Sequence, residues 1–356
     1  MIARLGCDEF AVIQSPIAEP KEAEELASKL IQAVSERYDI AGHEIVVGAS
    51  IGIAVSPGDG DGPEALLRNA DMAMYRAKTE GRGGLHFFEP EMDRRMQMRR
   101  TLELDLRRAL ATGQFELYYQ PLINLESEKL SGFEALLRWQ HPERGMVSPA
   151  EFIPLCEEIG LIVPLGEWVL REACRQASHW PDHIKIAVNL SPIQFRSRGV
   201  VEAVMKALAY SRLAPGRLEL EITESVLLGE TEANLATLHQ LRQIGVRISM
   251  DDFGTGYSSL SYLRTFPFDK IKIDRSFVRE LTERPDCAAI VRAVTGLGAS
   301  LGITTTAEGV ETTGQLDRLR EEGCTEVQGF LFSAPRPASE LGAMLQADGL
   351  KRRSAA

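Results

Sequence analysis

The sequence predicts a closed (β/α)8 barrel of the α/β class with an antiparallel first strand, preceded by an incomplete α+β domain. Three observations carry this expectation. Strand-like segments recur eight times, at 115–120, 132–137, 184–190, 218–222, 246–250, 270–273, 303–307 and 326–331. From the second onward, helical patterns such as 165–177, 200–210, 234–244 and 288–300 separate the neighbours, which implies parallel strands joined by crossover helices. The first connection, 124–129, is a short polar turn with no room for a crossover, so the first two strands should pair antiparallel.

Upstream, residues 4–13 read as a hairpin, 22–37 as a helix and 45–55 as a β-branched central strand. Residues 63–78 open with Pro63 at a first helical position and carry Leu66, Leu67, Ala70, Ala73, Met74 and Ala77 on one face. A Gly81-Arg-Gly-Gly break precedes a last strand at 85–88. The expected division is a partial domain at 1–90, a linker helix at 91–112, a large domain at 113–350 and a frayed tail at 351–356. The linker carries Met92, Met96, Leu102, Leu106 and Leu110 on one stripe, read as an amphipathic helix packed on the next domain rather than a signalling coil.

Composition narrows the function. The 356-residue chain is 44% hydrophobic and 26% charged, the balance of an ordinary globular protein. Its formal net charge of −11 leaves no basic footprint for duplex nucleic acid. Cys7, Cys156, Cys174, Cys287 and Cys324 are widely spaced, as expected of reduced thiols in a cytoplasmic protein. No apolar run is long enough to cross a membrane and no signal-peptide pattern is present, although a longer parent could be membrane-associated through a region preceding residue 1.

Polar residues mark the strands. Gln120, Glu134, Asn189, Glu221, Asp251, Lys272, Glu308 and Gln328 each fall in, or at the carboxyl end of, a different strand. That end carries the active site of such barrels. Independent salt bridges would scatter acids over both ends and the helix surfaces, so a single site explains the pattern better. Within it, Asp251 and Asp252 end an apolar strand before a glycine-hinged turn. Taken alone, that pair could equally be a helix cap and a salt bridge. Oxygen donors without histidine or thiolate suit Mg²⁺ or Mn²⁺, and adjacent acids suit two ions, with Asp251 bridging and Asp252 binding one. Lys272 then orients the nucleophilic water, offsets charge, or serves as a buried partner of these acids; the residues alone leave those roles open.

Glu134-Ala-Leu-Leu-Arg138-Trp139 resembles the signature of EAL domains, the bacterial cyclic-di-GMP phosphodiesterases. The resemblance spans about residues 96–345 and includes Tyr119-Gln120-Pro121, Val188-Asn189-Leu-Ser191-Pro192, Glu219-Leu-Glu221-Ile-Thr223-Glu224, Asp251-Asp252-Phe-Gly, Ile271-Lys272-Ile-Asp274, Ala307-Glu308-Gly-Val-Glu311 and Gln328-Gly329-Phe330. It implies a TIM-like barrel that hydrolyses cyclic di-GMP to linear 5′-pGpG with two Mg²⁺ or Mn²⁺ ions per active site. Glu134, Asn189, Glu221 and Asp251 would bind the first ion, and Asp251, Asp252 and Glu308 the second. Lys272 would position the water, and Glu308 could act as general base besides being a ligand. Gln120, Arg138, Glu311 and Gln328 would contact substrate, and Glu224 would anchor the loop 253–259. A homodimer is expected, with helix 258–264 beside the interface. Thr304-Thr305-Thr306 departs from the usual aliphatics before Glu308, at an expected small cost in stability.

Residues 1–90 are similar to the C-terminal part of a GGDEF domain, the fold of diguanylate cyclases. Gly6-Cys7-Asp8-Glu9-Phe10, Ser50-Ile-Gly52, Ala70-Asp71-Met-Ala-Met-Tyr75-Arg-Ala-Lys78 and Gly81-Arg82 carry that resemblance. Cys7 replaces a glycine of the signature, and the part that supplies a metal-binding aspartate and guanine contacts in the family would lie ahead of residue 1, as in a truncated longer protein. No cyclase activity is expected. The rival to the hydrolase is an EAL module that binds cyclic di-GMP without cleaving it; the full ligand set argues against that. Asp252-Phe253-Gly254 also occurs in protein kinases, but no kinase glycine-rich loop or catalytic loop accompanies it.

Overall fold

The computed structural model describes residues 1–40, 43–79, 83–197, 199–228, 231–254, 266 and 268–346. It divides into two compact units, Met1–Leu104 and Asp105–Ala356.

Eight strands of the second unit close into a barrel: β1 (Phe115–Asn124), β2 (Leu130–His141), β3 (Lys185–Leu190), β4 (Leu218–Thr223), β5 (Arg247–Phe253), β6 (Lys270–Ile273), β7 (Thr304–Ala307) and β8 (Glu326–Val327). Every neighbouring pair from β2 to β8 is parallel, and β1 runs antiparallel to both β2 and β8. The reason for the antiparallel start is the tight connection. Asn124 Oδ1 accepts from the Ser127 amide and hydroxyl, both at 2.9 Å, and Glu128 takes a left-handed φ of 55°. Helices such as Ile162–Ala177, Val200–Ser211, Thr231–Ile244, Pro285–Leu301 and Thr313–Glu321 supply the crossovers. Most of the connection from β5 to β6 lies outside the described residues, including the expected helix 258–264 and loop 253–259 beyond Gly254.

Several strand boundaries differ from the sequence expectation, β1 running on to Asn124 and β5 to Phe253 among them, and two have a clear cause. The last strand stops at Val327 because the chain turns at Gly329, where an added Cβ would lie 2.0 Å from the Val310 carbonyl oxygen. The second strand runs on past Leu137 to His141. The His141 imidazole pairs with Asp105 at 3.2 Å and accepts from the Glu143 and Arg144 amides, so it serves the hairpin rather than the mouth.

Period-two alternation sorts the side chains. Leu218, Leu220, Ile222, Ile271 and Ile273 belong to the buried apolar shell between sheet and helices. Glu219, Glu221, Lys270 and Lys272 contact residues of strands that are not their neighbours, so they face the barrel axis. The interior is therefore polar where most such barrels are filled by branched aliphatics. Its lower layer is ionic: Lys270 Nζ lies 2.6 Å from Glu219 Oε1 and 2.8 Å from Glu326 Oε2. Thr306 Oγ1 donates to Glu326 Oε2 at 3.2 Å, which gives one of the unusual threonines a buried partner.

In the first unit the hairpin forms between Ile2–Arg4 and Phe10–Val12. The expected helix 22–37 ends at Val34, and Arg37–Ile40 instead pairs antiparallel with His43–Val46. The run 45–55 is thus divided, its second part Ile51–Ile53 pairing parallel with Leu85–Phe87. Gly52 lets helix Pro63–Thr79 rest on that strand, since a Cβ there would lie 1.9 Å from the Ala70 carbonyl oxygen. Gly81 and Arg82 lie outside the described residues. Helix Pro90–Thr112 buries Leu102, Leu106 and Ala109; the side chains of Met92 and Met96 lie outside the described residues.

Burial alone would raise the Glu326 carboxyl, but Lys270 outweighs it and holds the group down to about 2 from an ordinary 4.5. Its stabilising contribution is complete above pH 4.5 and is lost as pH falls through about 2. Replacing Glu326 by Gln should cost about 3–5 kcal/mol at pH 7, because Lys270 stays buried with one acid fewer. Urea unfolding should show the gap between wild type and variant narrowing as pH drops from 4.5; a gap independent of pH would contradict this account.

Candidate active site

The upper layer of the barrel interior gathers the expected residues. Consecutive side chains of a regular strand face opposite sides, so Asp251 and Asp252 could not both reach the axis from an unbroken β5. The ladder to β6 shifts register between Met250 and Phe253, and Asp252 adopts φ 54°, in the left-handed region. This bulge brings carboxylate oxygens of Asp251, Asp252 and Glu308 within 4.8 Å of one another. The sequence showed the acid pair; the bulge that makes the pair usable was not legible.

Lys272 stands at the centre. Its Nζ lies 2.6 Å from Glu308 Oε1, 2.7 Å from Glu221 Oε2, 3.2 Å from Asp251 Oδ1 and 3.8 Å from Glu134 Oε1. The lysine is thus a buried partner of four acids drawn from strands β2, β4 and β5 and from the turn after β7. Glu134 also accepts from Asn189 Nδ2 at 2.6 Å and Gln328 Nε2 at 2.5 Å. Gln328 Nε2 donates in addition to Gln120 Oε1 at 2.9 Å, and Gln120 Nε2 to the Ser333 carbonyl at 3.2 Å.

Three expected residues stand outside this cluster. Arg138 is half-buried, lies over the Tyr118 ring at 5.5 Å and donates to the Leu137 carbonyl. Glu311 follows the Glu308 turn with an exposed side chain, its amide donating to Gln315 Oε1 at 2.9 Å. Glu224 Oε1 accepts from the Gly254 amide at 3.2 Å and so ties the start of the loop after β5 to the end of β4.

The electrostatics follow from crowding. Burial pushes Glu221 well above the usual carboxylate range, and Glu134 and Asp251 add to that despite Lys272. Glu308 is raised to about 7, chiefly by burial and then by Asp251 and Glu134, against the opposing pull of Lys272. Asp252 is raised by burial, Asp251 and Asp274. Glu134 moves the other way: burial would raise it, but Lys272, Gln328 and Asn189 together hold it down.

Divalent cations fit this donor set. The five carboxylates of Glu134, Glu221, Asp251, Asp252 and Glu308 against the one ammonium of Lys272 leave 5 − 1 = 4 negative charges when all are ionised, the charge of two divalent ions. Glu221 Oε1 is buried without a hydrogen-bond partner. The donors are hard oxygens, suited to Mg²⁺ or Mn²⁺.

Sequence reasoning missed the layer beneath, Glu219, Lys270 and Glu326, together with buried Ser249, which neighbours both Glu221 and Lys270 in register. The signal was present as repetition two residues apart: Glu219 with Glu221, Lys270 with Lys272, Glu326 with Gln328.

Two family models match the chain, the EAL domain over residues 103–335 and the diguanylate cyclase GGDEF domain over residues 1–84. The bifunctional diguanylate cyclase/cyclic di-GMP phosphodiesterase MucR of Pseudomonas aeruginosa is 49% identical over 96% of this chain and 50% of its own length. The cyclic di-GMP phosphodiesterase PdeR of Escherichia coli is 40% identical over 95% of this chain and 51% of its own length. The chain spans about half the length of these relatives. Among solved structures, the PaMucR phosphodiesterase in complex with c-di-GMP superposes with a TM-score of 0.65 at 48% identity, over 68% of this chain and 99% of that one. The EAL enzyme Bd1971 bound to cAMP and cyclic-di-GMP gives a TM-score of 0.68 at 30% identity, over 81% of this chain and 77% of that one.

Crowding makes metal binding and protonation compete. With Glu308 at about 7 rather than 4.5, the metal-free fold carries a penalty that builds as pH rises from 4.5 and is complete above 7. Mn²⁺ titrated calorimetrically at pH 6 should therefore release protons, and its apparent affinity should fall between pH 8 and 6. Asp252→Asn should weaken Mn²⁺ by at least ~100-fold, more than an outer-shell change costs. In metal-free protein the same change should raise Tm by about 1–3 °C, because it removes a charge that Asp251 repels. A lowered Tm with unchanged Mn²⁺ affinity would assign Asp252 a structural role instead.

Proposed function

Because the chain belongs to the EAL-domain family, with a GGDEF match ahead of that domain, we propose that it hydrolyses one phosphodiester bond of cyclic di-GMP to linear 5′-pGpG. The observation that carries the reading is the convergence of Asp251, Asp252 and Glu308 within 4.8 Å beside a lysine held by four acids at a barrel mouth. The names of MucR and PdeR support the substrate.

In this reading Glu134, Asn189, Glu221 and Asp251 would hold one Mg²⁺ or Mn²⁺, and Asp251, Asp252 and Glu308 a second. When bound, the two ions supply positive charge at the attacking and leaving oxygens and make water a better nucleophile. The chain's own residues do the rest. Lys272 directs its ammonium protons at Glu221, Asp251 and Glu308; where bound cations would take over the charge of those carboxylates, one of these protons would be released to hold the oxygen of a water. Glu308, 2.6 Å from Lys272, would accept that water's proton in addition to serving as a ligand. The water oxygen bonds to phosphorus, the P–O3′ bond breaks, and the 3′ oxygen takes up a proton, leaving a 5′-phosphate. Gln328 sets the Glu134 carboxylate and is itself held by Gln120; both would line the mouth for substrate, with Arg138 and Glu311 at its rim. Glu224 steadies the loop next to Asp252 through Gly254.

The GGDEF segment, with Cys7 in its signature, is proposed to make no cyclic di-GMP. A homodimeric, cytoplasmic state is likewise proposed, to be checked by light scattering and fractionation. No described helix is long and apolar enough to cross a membrane.

Chromatographic turnover of cyclic di-GMP in Mg²⁺ or Mn²⁺ tests the main reading. Wild type should yield linear pGpG and no cyclic product from GTP, and Asp252→Asn should be slower by roughly 10³-fold or more, because the cation that Asp252 would hold is what stabilises transition-state charge. Tight binding of cyclic di-GMP without turnover in either metal would make the protein a receptor.

A further inference from the structure

We propose that Arg275 binds the second, non-reacting phosphodiester of the substrate, an assignment that rests on cyclic di-GMP being that substrate. Cyclic di-GMP carries two phosphodiesters on one ring. The acids described above, with the ions they would hold, serve the scissile one, so the other anion calls for a cation near the rim. Arg138 is half-buried over the Tyr118 ring and donates to the Leu137 carbonyl, which leaves Arg275.

Arg275 stands in the right place. It is the first residue of the short helix Arg275–Arg279, two positions beyond the end of β6, the strand that supplies Lys272. Asp274 caps that helix by accepting from the Ser276 amide at 3.0 Å, which fixes the direction in which Arg275 leaves the strand. On its other side, Gly309 takes φ 69°, and a Cβ there would lie 2.7 Å from the Arg275 Cβ. The stem of Arg275 is thus pressed against the turn that directly follows Glu308. Its charge reaches the Asp252 carboxyl, where it opposes the raising effects of burial, Asp251 and Asp274.

The head group is exposed, and no ion pair within 4.0 Å ties it to an acid among the described residues. Arg284, Arg318 and Arg336 pair with acids, whereas Arg275 shares its freedom with exposed Arg171, Arg196, Arg212 and Arg279, so its place beside Glu308 and Asp252 is what distinguishes it. A guanidinium is suited to two phosphate oxygens at once, whereas an ammonium meets them as a point charge. The bland alternative is that Arg275 merely offsets the negative charge of the acids and touches nothing else.

The test compares Arg275→Gln and Arg275→Lys with wild type in the full chain. For cyclic di-GMP with Mn²⁺, Arg275→Gln should raise KM roughly tenfold, the loss of one charge-assisted contact, with kcat within about twofold. Arg275→Lys should recover only part of the loss. With bis(p-nitrophenyl) phosphate, which has one phosphodiester, kcat/KM should fall far less than with cyclic di-GMP. Equal losses on both substrates, accompanied by weaker Mn²⁺ binding, would place Arg275 with the acids and overturn the proposal, as would an unchanged KM. Equilibrium binding of cyclic di-GMP separates this from failure of the function itself. A weaker Kd in Arg275→Gln upholds the contact even if wild type proves to be a receptor, and a wild type that binds no cyclic di-GMP overturns both readings.

Discussion

Concentrating acids at the buried end of a barrel is the constraint on which the rest of this structure depends. Like charges a few ångströms apart repel by several kcal/mol even at an effective dielectric of about 20. Lys272 meets that repulsion by lying within 3.2 Å of Glu221, Asp251 and Glu308. One ammonium cannot balance five carboxylates, and the remainder is handled in two chemically different ways. Glu134 is kept ionised by neutral donors, Asn189 and Gln328, besides the lysine. Glu221 and Glu308 instead shift toward holding protons. The site is therefore divided into a member that remains an anion and members that wait for positive charge, as a cation-binding site should be.

The ionic layer below explains how the fold tolerates such an interior. Glu219 and Glu326 share Lys270 across β4, β6 and β8, and Arg247 of β5 supplies the second positive charge at 3.3 Å from Glu219. Glu219, Lys270 and Glu326 each lie two residues before a member of the upper layer, so the same alternation that aims Glu221, Lys272 and Gln328 inward aims these too. The outward positions between them, Leu220, Ile271 and Val327, remain fully apolar and buried. Burial of that shell drives folding, since it removes aliphatic area from water on every strand. The polar axis needs only to be internally satisfied. In this respect the two layers differ in degree, for the lower one pairs both its acids with Lys270 although Ser249 Oγ is buried without a hydrogen-bond partner.

Legibility in the sequence follows the same division. Alternation, strand spacing and the short 124–129 connection sufficed for the barrel and its antiparallel start, because both are set by local pattern and chain reach. The cluster of Gln120, Glu134, Asn189, Glu221, Asp251, Lys272, Glu308 and Gln328 was legible because one residue type class recurs at the same place on successive strands. What escaped depended on contacts between distant residues. The early end of β8 is forced by Gly329 packing on Val310, which no local signal near Val327 announces. The turn of the chain into Arg37–Ile40 overrode a helical pattern because a strand partner, His43–Val46, follows at once. The residues alone left three roles open for Lys272, and the metal-free geometry displays the buried partnership with the acids.

The acid pair illustrates why a motif is less than a site. Asp251 and Asp252 are adjacent in sequence, yet strand geometry alone would send them to opposite faces. Their convergence needs the register shift between Met250 and Phe253 and the left-handed φ of Asp252, a conformation disfavoured for any residue with a Cβ. Something must hold that conformation. On one side, Thr223 of β4 pairs in register with Asp251. The next residue, Glu224, reaches past Asp252 to the Gly254 amide at 3.2 Å. On the other side, Ile273 of β6 pairs with Phe253, and the segment beyond it bears Asp274 and Arg275, whose charges act on Asp252 from opposite directions. The position of Asp252 is thus set by three strands and by the carboxylate of Glu224, which holds the Gly254 amide from 30 residues away. A chain could keep both aspartates and still lose the site by losing Glu224, because the bulge would then be free to relax toward regular strand geometry and turn one acid away from the other.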